Sequence, residues 1–263
     1  MILAIDLGST SFKASVFDAS LECVGEGSSE LVYHHGPHGV MQLDPGHLRE
    51  TLRSAVAQAL SAADVTALGA VAVTSQAQTF TVCSPEGVER VPFISWLDSG
   101  CAEYNPAADA LPEFARHCSV EQCMPSLMVA KLAYLQEQSE GTFVGADDTV
   151  LMLPAWVVRQ MTGTAAVDKN LAAMCCLYSL LEDDWWSEAL RACRIGEHNL
   201  PALKELGAVA GNTGQGAAAF GLPTGIPVVL AGNDQTAGAY GIDVHRKNAV
   251  LITLGTAQVA YDV

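Results

Sequence analysis

The residues best suited to chemistry stand at the start of the chain. An apolar run, Met1 to Ile5, ends in Asp6, and Gly8, Ser9, Thr10, Ser11 and Lys13 follow before a second β-rich run to Asp18. A tight hairpin of this composition can turn several backbone N–H groups toward one point, as anion-cradling loops do, and it places a carboxylate where a hard cation could be held. Such an arrangement suits a nucleotide phosphate chain with its metal. The same composition also makes an ordinary hairpin turn, with glycine supplying positive φ and Asp or Ser bonding locally.

Three further segments have comparable character. Ser75-Gln76-Ala77-Gln78-Thr79 is a polar run delivered by the short apolar strand Leu68–Thr74. Gly225 to Ala231 is a strand that feeds Gly232-Asn233-Asp234-Gln235, with small residues beyond it that let a helix pack closely. Asp234 then falls at or near a helix N-terminus, where it could cap the helix, act in a site, or do both. Late in the chain Asn248–Leu254, Gly255-Thr256 and Ala257–Tyr261 repeat the strand, turn, strand pattern of the opening. Two such hairpins could clamp a phosphate chain from two sides.

The elements needed to position these residues can be read from periodicity. Ile2–Asp6, Phe12–Asp18 and Glu22–Tyr33 predict a meander of strands. Asp44-Pro45 gives an N-cap and a first-turn proline, and Leu48, Leu52, Ala55, Val56, Ala59 and Leu60 share one face of a helix running to about Ala62. Helices are expected within 100–140, with Leu127, Ala130, Lys131, Tyr134 and Leu135 at helical spacing, and again from Val150–Pro154 to a stop at Thr162-Gly163. The acids of Glu182-Asp183-Asp184, ahead of Trp185 and Trp186, are read as the first turn of another helix. Strand, helix and strand in succession imply an α/β layer architecture, in which ligands gather at strand ends.

Composition narrows the function classes. The chain has 263 residues, of which 50% are hydrophobic and 16% charged, so it can bury a substantial core. A formal net charge of −16 is unsuited to nucleic acid or an anionic membrane surface, although a small anion could still bind through backbone amides and a few cations. Asp6 interrupts the first apolar run and no basic stretch precedes it, so no signal peptide is expected; the uncharged stretch 206–233 is broken by Pro223 and Pro227 and is not a membrane helix. The eight cysteines form no Cys-x-x-Cys and are expected to be reduced and mostly buried, as in a cytoplasmic protein. His34, His35 and His38 lie around Gly36-Pro37 with no carboxylate or cysteine near them in sequence, which argues against a metal site there.

Taken in order, these segments resemble the FGGY family of carbohydrate kinases, nearest to the xylulose kinases. Asp6 to Lys13 is similar to the family's first phosphate hairpin, and Ser95-Trp96-Leu97-Asp98 to its Trp-x-Asp sugar-site segment. Leu153-Pro154 through Thr162-Gly163, Asp168, Gly232-Asn233-Asp234-Gln235 and Leu254-Gly255-Thr256 fall where further family motifs are expected. The resemblance implies an actin-like, ribonuclease H-like α/β fold, with sugar bound by the first of two domains and ATP with Mg2+ between them. It implies Asp234 as the catalytic base and a substrate contact, Asp6 as the Mg2+ ligand, and Gly8, Ser9, Thr10, Ser11, Lys13, Gly255 and Thr256 around the phosphates. Gln76, Gln78, Trp96 and Asp98 are the expected contacts to a sugar or polyol.

The sequence departs from the family pattern at Ala77 and Gln78, at Gly100 where an arginine is common, and at Ala155-Trp156 where Lys-Asp is usual. These departures leave the identity of the acceptor open. Family members run to roughly twice this length, so residues 1–245 are expected to form the sugar-binding domain and 246–263 the opening strands of a nucleotide-binding one. The expected activity is ATP-dependent phosphorylation of a sugar or polyol hydroxyl, with a homodimer as a further expectation. The alternative is a non-catalytic sugar-binding or interaction domain derived from a kinase.

Overall fold

The computed structural model describes residues 1–101, 110–118, 120–247, 249–254 and 258–261. Its main sheet has six strands in the order β14-β15-β6-β1-β2-β3: Val209–Asn212, Pro227–Asn233, Ala70–Ser75, Ile2–Leu7, Ser11–Phe17 and Cys23–Glu30. The pattern behind β1 is plain in its residues. Leu3, Ile5 and Leu7 are fully buried on one face, as the period of two requires of a strand with a helix on that side. The covering helix is Pro45–Leu60; the Asp44 carboxylate accepts from the His47 N–H at 2.7 Å to cap it, and Leu48, Leu52, Ala55, Val56 and Ala59 are fully buried.

Pairing directions create the functional edge. β1 runs parallel to β6, with Leu7 opposite Ser75, and β6 runs parallel to β15, with Ser75 opposite Asn233. Three neighbouring parallel strands therefore end at one edge, and Gly8, Gln76 and Asp234 are the next residues of each. Loops at the carboxyl ends of adjacent parallel strands are where α/β sheets build ligand sites.

A second sheet has the order β4-β5-β8-β7-β9, from Tyr33–His35, Met41–Leu43, Phe93–Ile94, Phe80–Cys83 and Thr149–Met152. Its β9 leads straight into helix Leu153–Thr162, which stops at Gly163 with φ of +80°, as the sequence predicts. Small two-stranded sheets pair β10 (Ala166–Asp168) with β13 (Ala202–Lys204), β11 (Tyr178–Ser179) with β12 (Asp184–Trp185), and β16 (Leu251–Leu254) with β17 (Gln258–Tyr261).

Two sequence expectations are corrected. The run 22–33 is not one strand: β3 ends at Glu30, Leu31 donates its N–H to Thr10 O at 2.9 Å, and Tyr33 opens β4 in the other sheet. The acids Glu182 to Asp184 are not a helical first turn. Glu182 and Asp183 lie in the β11–β12 turn and Asp184 opens β12; Asp183 meets Lys169 and the Tyr178 hydroxyl, and the helix that follows is Ser187–Ala192. All eight cysteines are free, and Cys23 alone among them is exposed. Among the described residues no helix is long and apolar enough to cross a membrane.

Candidate active site

A cavity of about 350 Å3 opens at the edge where β1, β6 and β15 end. Its walls combine the hairpin after β1 (Asp6, Gly8 to Ser11, Lys13), the run after β6 (Gln76 to Gln78), Trp96, and the turn after β15 (Asn233 to Gln235). Met174, Thr253 and Val259 complete it.

The hairpin is held by its carbonyl groups. Gly8 O accepts from Gln76 Nε2 at 3.1 Å, Ser9 O from the Tyr33 hydroxyl at 2.6 Å and Thr10 O from the Leu31 N–H. In a planar trans peptide the N–H points opposite to the C=O of the preceding residue. Fixing these carbonyls therefore turns the N–H groups of Ser9, Thr10 and Ser11 away from their holders, the arrangement from which an anion nest is made.

The carboxylates come from opposite ends of the chain. Asp6, paired across the hairpin with Lys13, has a buried Oδ1 with no hydrogen-bond partner among the described residues. Burial raises its pKa above the ordinary 3.8, repulsion from Asp234 adds to the rise, and Lys13 opposes it. Burial likewise raises Asp234, against hydrogen bonds from Gln235 N–H and the Asn233 side chain. Asp234 is the first residue of helix Asp234–Gly241, but Asn233 is its cap: Asn233 Oδ1 accepts from Gln235 N–H at 3.0 Å, and its Nδ2 donates to Ser75 O at 3.2 Å. Asn170 Oδ1 accepts the Asn233 N–H at 2.9 Å and steadies the turn from behind.

An orphaned carboxylate oxygen beside a second carboxylate is a donor set suited to a hard divalent cation. No cluster of three or more His, Cys, Asp or Glu that could hold a metal is present among the described residues. Mg2+ typically takes one or two protein carboxylates and fills its remaining positions with water and phosphate oxygens, so Asp6, with Asp234 beside it, is a donor set of the kind it uses.

The remaining expected residues fare differently. Trp96 lines the cavity, and its buried Nε1 has no hydrogen-bond partner among the described residues. Gln76 and Gln78 also line it, yet their amides are committed to the protein. Gln76 bonds Gly8 O and accepts from Thr79 Oγ1 at 3.3 Å; Gln78 accepts from Met128 N–H at 2.6 Å and donates to Met174 O. Asp98 is not brought to this cavity. Its oxygens accept from Met41 N–H at 2.6 Å and Gly100 N–H at 2.9 Å, and it borders a separate cavity with Lys131 and Tyr134. Gly255 and Thr256 lie outside the described residues. Their flanking strands pair, with Leu254 opposite Gln258, and Thr253 Oγ1 donates to Gln235 Oε1 at 2.6 Å.

Residues 1–241 match the N-terminal domain of the FGGY family of carbohydrate kinases. The chain belongs to this family. It is 28% identical to the xylulose kinase of Escherichia coli (strain K12) over 268 residues, covering 100% of this chain and 54% of that protein. It is 30% identical to the glycerol kinase of Brucella ovis over 274 residues, covering 97% and 52%. The crystal structure of xylulose kinase from Rhodospirillum rubrum superimposes with a TM-score of 0.86 at 22% identity, over 97% of this chain and 54% of that one. The fold is thus the actin-like α/β fold of an FGGY N-terminal domain, and the chain spans about half the length of the relatives it matches.

Tyr33 and Asn170 were not picked out by sequence reasoning, and Thr79 and Asn233 entered it only as members of the runs 75–79 and 232–235, with no role of their own. Asn233 carried a further signal, since Asn directly before a helix-opening residue is a capping pattern. Tyr33 acts across sheets and carried none.

Proposed function

We propose that this chain supplies the acceptor-binding half of an ATP-dependent kinase that phosphorylates a sugar or polyol hydroxyl. The observation that carries the reading is the convergence of Asp6 and Asp234 on one cavity beside the β1–β2 hairpin. Residues 1–245 would form the sugar-binding domain and 246–263 the opening strands of the nucleotide-binding one. Activity of this kind belongs in the cytoplasm, in keeping with the free cysteines.

Phosphoryl transfer asks a protein mainly for positioning and charge stabilisation. The backbone of Gly8 to Ser11 would hold phosphate oxygens, with Lys13 as an added cation and Gly255-Thr256 as the second clamp. Asp6 would hold Mg2+, which when bound supplies charge neutralisation on the phosphates. Asp234 would accept the proton of the attacking hydroxyl; its raised proton affinity strengthens it as a base. Trp96 would offer its ring to the acceptor. Asp98, set apart from the cavity, would act through the loop it holds and not by touching the acceptor.

The test is a panel of neutral sugars and polyols, including xylulose, ribulose, xylitol and glycerol, offered to the native-length protein with Mg-ATP, with product followed by 31P NMR. Acceptor-dependent formation of a phosphate monoester is expected. ATP hydrolysis that no acceptor stimulates, with no monoester formed, would overturn the reading.

A further inference from the structure

We propose that the separate cavity bordered by Asp98 and Lys131, about 510 Å3 in volume, is a second binding site, for a small neutral sugar or polyol. Among the described residues none lines both this cavity and the one that holds Asp6 and Asp234. Strand β5 and helix Met128–Gln138 build its floor and roof. Gln42 stands opposite Ile94 on the sheet face turned away from Leu43 and Phe93, which are fully buried. Lys131 and Leu135, four residues apart, share the helix face that meets it. Val40 and segment 98–101 close the sides. The volume lies within the range usual for small-molecule sites.

The polar groups decide the ligand class. Lys131, 1% exposed, donates from Nζ to Ser95 O at 2.7 Å and to Trp96 O at 3.1 Å, which uses two of its three N–H donors. The third has no acceptor among the described residues. Each Asp98 oxygen accepts one backbone N–H, from Met41 at 2.6 Å and from Gly100 at 2.9 Å, and keeps further acceptor capacity. The Gln42 amide, able to donate and to accept, has no hydrogen-bond partner among the described residues. An ammonium and a carboxylate on one cavity nearly cancel, which favours neither an anion nor a cation. A hydroxyl group suits both, since it accepts from Lys131 and donates to Asp98. Val40, Ile94 and Leu135 add apolar surface for the C–H groups between hydroxyls. The same ammonium holds the carbonyl of Trp96, which lines the other cavity, so an occupant here bears on a wall of the candidate active site. The importance of that link rests on the kinase reading; the site itself does not.

The experiment titrates the unliganded 263-residue chain with xylitol, sorbitol and D-glucose in turn, followed by 1H–15N NMR. At least one of them is expected to shift the Gln42 side-chain NH2 and the Met41 and Gly100 N–H groups saturably, with a dissociation constant on the order of 1 mM or tighter. The Leu97 N–H, which shares its peptide group with Trp96 O, should move along the same curve; a Leu97 resonance unmoved at saturation would overturn the link to Trp96. Gln42→Leu, close in size and at a partly exposed position, should weaken binding about 5- to 20-fold without lowering the melting temperature. Leu135→Trp, which fills the cavity from the helix side, should abolish it and keeps the test open if the first variant folds poorly. No saturable shift with any of the three compounds, shifts confined to the Asn233 and Gln235 N–H groups of the other cavity, or equal binding by parent and variants would overturn the proposal. Sodium acetate and methylammonium chloride are titrated alongside, and tighter binding of either ion at Gln42 and Gly100 would overturn the choice of a neutral ligand. No nucleotide or phosphate enters the experiment, so failure of the kinase reading would leave its result standing.

Discussion

Asp6 and Asp234 hold their protons more tightly in the folded chain than in the unfolded one, because burial disfavours both carboxylates and Asp234 repels Asp6. The linkage sign follows. As pH rises from the ordinary carboxyl value of 3.8 toward the raised folded values, the unfolded chain releases protons first, so these groups reduce stability and the deficit persists at neutral pH. Asp234→Asn in the 263-residue chain is therefore expected to leave the melting temperature at pH 7 unchanged or higher, and to lower the Asp6 pKa. Thermal melts and 13C carboxyl titration check both; a drop of several degrees, or an Asp6 titration that does not move, would contradict this account. The carboxylates and the hairpin were legible in the sequence because their signal is local. The roles of Gln76 and Gln78 were not, since whether an amide faces ligand or protein depends on partners such as Gly8 O and Met174 O that only the fold brings near.

At the scale of elements, β3 and helix Pro45–Leu60 approach so closely that a Cβ at Gly25 or Gly27 would fall on the carbonyl oxygens of Ala59 and Ala55. Gly27→Ala is expected to destabilise the fold by about 1–3 kcal/mol, measured by urea unfolding, because the obstacle is backbone and cannot rotate aside. The loop from β8 to Trp96 depends on Lys131, whose burial lowers its pKa from 10.5 to about 8. Between those values the unfolded chain binds the extra proton, so this residue's contribution to stability rises with pH from about 8 to 10.5. Relative to Lys131→Met, the parent should gain melting temperature across that interval; a parallel course of the two would contradict the assignment. The helices from Pro45 and from Leu153 were legible because capping residues and periodicity agree. The split of 22–33 into β3 and β4 was not, since it is set by Leu31 and Tyr33 reaching across to the hairpin.

For the whole molecule, the order of motifs carried more than any one of them. Turns after three strands spread through the chain become one site only because β1, β6 and β15 are parallel neighbours. The acceptor itself was not legible, because on the kinase reading its specificity would lie in the shape of the cavity that Ala77, Trp96 and Met174 help to line. Since the relatives are about twice as long, the 263 residues alone are expected to turn over little or no ATP and to retain at most weak acceptor binding. Calorimetry on the isolated chain checks this, and tight ATP binding would contradict it.

The central claim, that Asp234 is the base of a phosphoryl-transfer site, is tested most directly by kcat for Asp234→Asn in the native-length protein, measured beside its melting temperature. Loss of a general base lowers turnover by about 10^2- to 10^4-fold, and Asn233 supplies the helix cap in either case, so stability should not fall. Turnover within a few-fold of the parent at unchanged stability would reduce Asp234 to a structural residue.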